Sequence, residues 1–382
     1  MIIHNQYRFL FATIYFAIGA IYSLLALYLE KIGFSGTQIG TIMSFGSLVL
    51  IFSQPFWGMV CDKTRRTIGV LKGSLIAAGV LALFLPFTRS YFAFLSLYAL
   101  VHFFQGANAP ISDTLGINAA QKMGLTFGNF RQFGAVGFAV AVFFVSQLSE
   151  LIGLWVIFPS YCLAYVAGAL FFREKEEGTT RIQTKITSGL KQLMAIPRLR
   201  IIMLATFCVF GPVVANNNYY ALLFEYTGGT IAGVGFAFLL FSGSEAPVMK
   251  WSGELIRRAG QENTMIFAAT LSAARWFWYG TAPSTQLMLA LFLLQGLSVG
   301  LYIVTAAQFV SDHAIPHLRT TAMTLYSSAG IGMGGIFCQF SAGVLLDYRS
   351  ILTVYRFFGW LTIAGLILLI YLKSKKFNVK MV

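Results

Sequence analysis

Apolar positions gather into twelve runs along the 382 residues, each about the 20 residues a helix needs to cross a bilayer. They lie near 9–29, 38–60, 67–87, 91–114, 127–149, 151–172, 201–224, 231–250, 264–282, 286–310, 321–345 and 351–372. The longest polar stretch, Arg173 to Arg200, falls near the middle, with six runs on either side. This pattern predicts an all-α membrane protein of twelve transmembrane helices. Its parts are an N-terminal six-helix bundle (1–172), a cytoplasmic linker (173–200) and a C-terminal six-helix bundle (201–382). Within the linker, residues 190–195 suit a short interfacial helix.

Composition agrees. Hydrophobic residues make up 57% and charged residues only 10%, where a soluble domain shows about a quarter charged. The net charge of +14 suggests nucleic acid until the loops are compared. Twenty Lys and Arg fall on one side of the predicted helices, against Lys31, Arg89 and Arg349 on the other. By the positive-inside rule the basic side and both termini are cytoplasmic, in a multi-pass protein of the cell membrane. The charge therefore reports topology, and no nucleic-acid partner is expected. The four cysteines have neither metal-like nor disulfide-like spacing, and the first apolar run is expected to be retained as a helix rather than cleaved as a signal peptide.

The two halves share a repeat. QPFWGMVCDKTRR (54–66) and APVMKWSGELIRR (246–258) align at a constant offset, pairing Pro55 with Pro247, Asp62 with Glu254, Arg65 with Arg257 and Arg66 with Arg258. Each falls where the second helix of its half reaches the cytoplasm. A duplicated six-helix unit is the plan of transporters whose substrate site lies near the bilayer midplane. GMVCDKTRR also resembles the motif between helices 2 and 3 of the major facilitator superfamily, with Thr64 where that motif prefers Gly. The resemblance covers the whole chain and implies two pseudo-symmetric bundles and secondary active transport by alternating access. A monomer is expected, and with no Walker motif and with His only at 4, 102, 313 and 317 neither an enzyme nor a cofactor or metal is expected. The family's gating loops would hold Gly58, Asp62, Arg65 and Arg66 in one half and Glu254, Arg257 and Arg258 in the other.

Ionisable residues inside membrane spans are functional candidates by default. Lys72 and Arg356 are expected to extend toward the interfaces, and His102 to be a hydrogen-bonded packing residue rather than a ligand. Asp113 and Arg131 flank the turn near 119–124 and lie at matching depth, about 10 Å from it at 1.5 Å per residue, so they can neutralise each other. Glu245 and Arg275 flank the turn near 257–263 at equal depth, about 18 Å, which allows a second pair without deciding whether the two meet. Such pairs staple helices poorly, because desolvation offsets attraction; a role in transport is the better reading. Asn216, Asn217 and Tyr220, within NNNYY, are expected to face the cavity, since amides in lipid are costly. Trp276 and Trp278 belong either to that cavity or to an interfacial belt.

The segment PISDTLGINAAQKMGLTFGNFRQFGAVGF resembles helices 4 and 5 of the lactose permease and phenylpropionate permease branch. By that resemblance Asp113 and Arg131 bind substrate and Arg275 is linked to proton coupling, while Ser242 stands at the family's helix-8 Glu. From the residues themselves Glu245, near the bilayer centre, is the expected proton carrier, and Asn216, Asn217 and Tyr220 are expected to bind the solute. Gln295 and Ser298 stand where lactose permease has a His and a Glu, and Phe138 replaces its sugar-stacking Trp; these departures argue against lactose itself. The expected function is proton-coupled symport of a small polar or anionic solute: a glycoside, a nucleoside or an aromatic acid. The alternative is proton-driven export of drug-like compounds, although span 5 lacks the proline of the usual exporter motif. Gly296–Gly300 fits G-x-S-x-G and Gly330–Gly335 fits G-x-G-x-x-G, but both lie within spans without the strand that either site requires.

Overall fold

The computed structural model describes residues 2–125, 127–173, 192–315 and 318–375. Most of the expected linker, residues 174–191, lies outside them. The described residues form helices joined by short turns. In chain order these are α1 (Ile2–Tyr22), α2 (Leu25–Lys31), α3 (Gly36–Thr64), α4 (Thr67–Ala82), α5 (Tyr91–Gln105), α6 (Asn108–Lys122), α7 (Gly128–Ile152) and α8 (Ile157–Phe171). After the linker come α9 (Pro197–Tyr226), α10 (Ile231–Ala259), α11 (Gln261–Tyr279), α12 (Thr285–His313), α13 (Arg319–Leu325), α14 (Met333–Tyr348) and α15 (Ile351–Ser374). A π-helical stretch, Tyr326–Gly332, joins α13 to α14.

Among the described residues, ten helical segments are long and apolar enough to cross a bilayer. The other two of the twelve expected spans differ for definite reasons. The span at 264–282 is α11, whose length of 19 residues suffices but whose Gln261, Glu262, Asn263 and Arg275 dilute its apolar character. The span at 91–114 is broken between α5 and α6. There the Ala107 N–H turns back to the Phe104 carbonyl (3.2 Å), leaving the Phe103 carbonyl without the donor a continuous helix supplies. The Trp57 indole N–H of α3 donates to it at 2.7 Å, so that carbonyl is not orphaned in an apolar setting.

Local chemistry sets the helix ends. Ser35 and Gln38 form a capping box that starts α3, and Arg65 ends it in the left-handed conformation. The repeated prolines Pro55 and Pro247 both lie inside 29-residue helices, α3 and α10.

The chain divides into two compact units. The first holds residues 1–182 with 218–225 and 229–239, the second 183–217 with 226–228 and 240–382. In the first unit α1 packs closely on α7 and α8. Glycine permits the α1–α7 approach: a Cβ at Gly137 would overlap the Ala12 carbonyl, and one at Gly134 would lie 2.7 Å from the Tyr15 ring. Because backbone cannot yield as a flexible side chain does, Gly137→Val should destabilise the protein by at least about 1–3 kcal/mol. The measurement is the melting point of the purified variant; an unshifted value would show that α1 and α7 can separate freely.

Candidate functional site

Arg131 lies in the first turn of α7, which follows α6 through a turn at Gly124 (φ 64°). That reversal sets Arg131 beside Asp113, with Nε 3.8 Å from the carboxylate Oδ1. The guanidinium also lies over the Tyr15 ring of α1, 4.1 Å from its centroid. Aromatic face and carboxylate thus hold one cation from two helices. The side chains of Arg131 and Asp113 remain 40% and 37% exposed. An ion pair so open contributes about 0–1 kcal/mol, too little to justify it as a staple. Asp113 Oδ1 has no hydrogen-bond donor, and 3.8 Å exceeds direct hydrogen-bonding range. Oδ1 itself is buried, so a solute hydroxyl would reach the pair through the exposed remainder of the two side chains.

The second unit departs from expectation. Arg275 is buried, 1% exposed, and donates to Gln295 Oε1 on α12. Asn216 of α9 donates to the same oxygen at 3.0 Å, and Tyr355 of α15 donates to Asn216 Oδ1 at 2.9 Å. Trp276 presents its ring 4.0 Å from the guanidinium carbon. The Glu245–Arg275 ion pair that equal depth allows is not formed. Glu245 lies along α12 at Gly300, where an added Cβ would meet the Glu245 carbonyl oxygen at 3.3 Å and its Cγ at 3.5 Å. Equal depth does not make two residues face each other; helix rotation directs Glu245 to Gly300 and Arg275 to Gln295. Gln295→Leu would take an acceptor from two buried donors and should cost about 1–3 kcal/mol per orphaned group. A fall in melting temperature checks this.

Other candidates resolve individually. Asn216 and Tyr220 are fully buried, and Tyr220 belongs to the first unit, stacked on Phe224 with ring centroids 5.5 Å apart. Within NNNYY only Asn217 is partly exposed. Trp276 is buried while Trp278 is 48% exposed, so the two tryptophans divide between core and surface. Arg356 donates to the Gly280 carbonyl at 3.0 Å and thereby helps to end α11. Of the expected gating residues, Glu254 forms ion pairs with both Arg257 and Arg258 inside α10. Gly58 sits within α3 facing open space, Asp62 is exposed near the end of that helix, and Arg65 and Arg66 follow it. The repeated motif thus remains helical in one half and unwinds in the other.

The model of the MFS_1 like family matches residues 4–357. The chain belongs to that family of major facilitator transporters. A maltose permease of Geobacillus stearothermophilus is 38% identical over 365 residues, covering 95% of this chain and 93% of the relative. A crystal structure of the nucleoside transporter NupG superimposes with a TM-score of 0.86 at 15% identity, covering 98% and 100% of the two chains. That of a D-xylose–proton symporter gives 0.75 at 13% identity, covering 96% of each. The structural likenesses establish the major facilitator fold of two six-helix bundles. This MFS_1-like protein is a membrane-embedded secondary transporter of small molecules, not an enzyme. The sequence left Tyr15 unnoticed, since nothing local distinguishes one tyrosine in an aromatic-rich first helix. Its contact with Arg131 spans more than a hundred residues of chain.

Proposed function

We propose that the transporter is a proton-coupled symporter of a small hydroxylated solute, a sugar or glycoside, working by alternating access. The observation that carries this reading is the open Arg131–Asp113 pair over Tyr15. It offers a charged donor and a charged acceptor, the donor held flat on an aromatic ring, and these are the groups that hold sugar hydroxyls. The 38% identity to a relative named maltose permease supports a sugar over an aromatic acid. Asn217, with an unpartnered side-chain oxygen, is a further candidate ligand. Glu245 is the proposed proton carrier. The two acidic–basic motifs, one at a helix end and one within α10, act as the cytoplasmic gate, both termini are cytoplasmic, and the monomer is the working unit. The bundles comprise residues 1–172 and 201–382, with 173–200 as their linker.

Uptake by proteoliposomes containing only this protein tests the reading. Under an imposed inward proton gradient, a labelled maltooligosaccharide or related glycoside should accumulate, and a protonophore should abolish accumulation. Absence of sugar uptake, together with proton-driven movement of bulky cationic compounds, would overturn it in favour of export.

A further inference from the structure

A second polar group in the first unit is unused by this reading. His102 of α5 is 2% exposed. Its Nδ1 lies 3.0 Å from the Tyr98 carbonyl, and its Nε2 lies 3.1 Å from the Tyr22 hydroxyl of α1. The Gln105 amide nitrogen reaches the same hydroxyl at 3.4 Å, while Gln105 Oε1 accepts from the Tyr161 hydroxyl of α8 at 2.8 Å. The backbone of α3 closes over the ring at Gly46, where an added Cβ would lie 3.1 Å from His102 Cδ2.

The chemistry fixes every proton in this chain. A carbonyl only accepts, so Nδ1 carries the imidazole proton. No ion pair holds the ring among the described residues, and an unpaired buried charge is costly, so the ring is neutral and Nε2 is an acceptor. The Tyr22 hydroxyl must then donate to His102. Gln105, its oxygen occupied by Tyr161, donates through its amide nitrogen to the Tyr22 oxygen. Tyr22 is left with its proton committed and a lone pair to spare.

Tyr22 follows Tyr15 by seven residues on α1. At 3.6 residues per turn the two share a face, about 10 Å apart along the axis. Tyr15 lies beneath Arg131. Tyr22 is the partly exposed member of its chain, whereas His102, Gln105, Tyr98 and Tyr161 are buried. We propose that Tyr22 is a second substrate contact that accepts hydrogen bonds only, and that His102 is the positioning residue imposing this polarity. The pair selects a second, hydroxyl-bearing ring and rejects a carboxylate, whose lone pairs would face another lone pair. This rests on the proposed sugar transport and narrows it to neutral solutes of two rings.

Competition binding to the purified full-length protein tests the inference with maltose, glucose and a disaccharide carrying a uronic acid. Tyr22→Phe should weaken maltose binding about tenfold more than glucose binding, the loss expected for one hydrogen bond. His102→Leu frees the Tyr22 proton and should narrow the preference for maltose over the uronide about tenfold. His102→Gln places an amide oxygen near Nε2 and should keep that preference within about twofold. Equal losses for maltose and glucose in Tyr22→Phe, or an unchanged preference in His102→Leu, would overturn the inference. Should the leucine variant fail to fold, a glutamine variant that loses the preference would do the same. Wild-type protein that binds no sugar overturns the transport reading itself. Sugar binding that requires Arg131 but ignores Tyr22 overturns only the inference.

Discussion

Arg131→Ala is expected to abolish measurable solute binding while leaving the empty protein nearly as stable as before. Two charge-assisted hydrogen bonds to a solute contribute about 1.5–3 kcal/mol each, so their loss weakens binding by at least about a hundredfold. The empty-state ion pair with Asp113 is two-fifths exposed and contributes about 0–1 kcal/mol at most. Calorimetric titration with the transported sugar measures the first effect, and thermal denaturation without ligand measures the second. Arg131→Lys keeps the charge but loses both the planar fork and the flat contact with Tyr15, so it should recover only part of the affinity. A large drop in melting temperature with unchanged affinity would make Arg131 a structural staple and remove it from the site.

The membrane-spanning pattern is legible in the sequence because it rests on a quantity that sums along the chain. Long apolar runs and the sidedness of Lys and Arg need no knowledge of neighbours. The Asp113–Arg131 pairing was accessible for a related reason: one short turn joins their helices, and counting residues from Gly124 gives both depths. The same count failed for Glu245 and Arg275, because depth fixes position along a helix and leaves rotation about it open. The deciding feature is the close contact between α10 and α12 at Gly300, set by packing across the unit. His102 is harder still. Its hydrogen-bond partner Tyr22 lies 80 residues away, so a lone histidine in an apolar run gives no sign of the chain it terminates. The break between α5 and α6 depends likewise on Trp57, whose indole makes a non-helical carbonyl tolerable there.

Glu245→Gln is expected to uncouple transport from the proton gradient without stopping solute exchange. A carboxyl within a membrane helix is functional by default, and among the described residues no cation forms an ion pair with Glu245. Arg275 is committed instead to Gln295, so in this arrangement the guanidinium is held by α12 while the stem of Glu245 packs at Gly300. A movement of α10 that carries Glu245 from Gly300 toward Arg275 would exchange a bound proton for an ion pair, the trade a coupling site requires. Glutamine cannot make that trade, but it keeps the size and polarity of the neutral acid. With one proton per solute, a gradient of one pH unit should let wild-type proteoliposomes concentrate sugar about tenfold, the factor corresponding to 1.36 kcal/mol. Glu245→Gln should fall to equal concentrations inside and out, while exchange of labelled for unlabelled sugar continues. Accumulation that survives in Glu245→Gln and disappears in Asp113→Asn would move the carrier to the first unit. Coupling and substrate binding would then share one carboxylate beside Arg131.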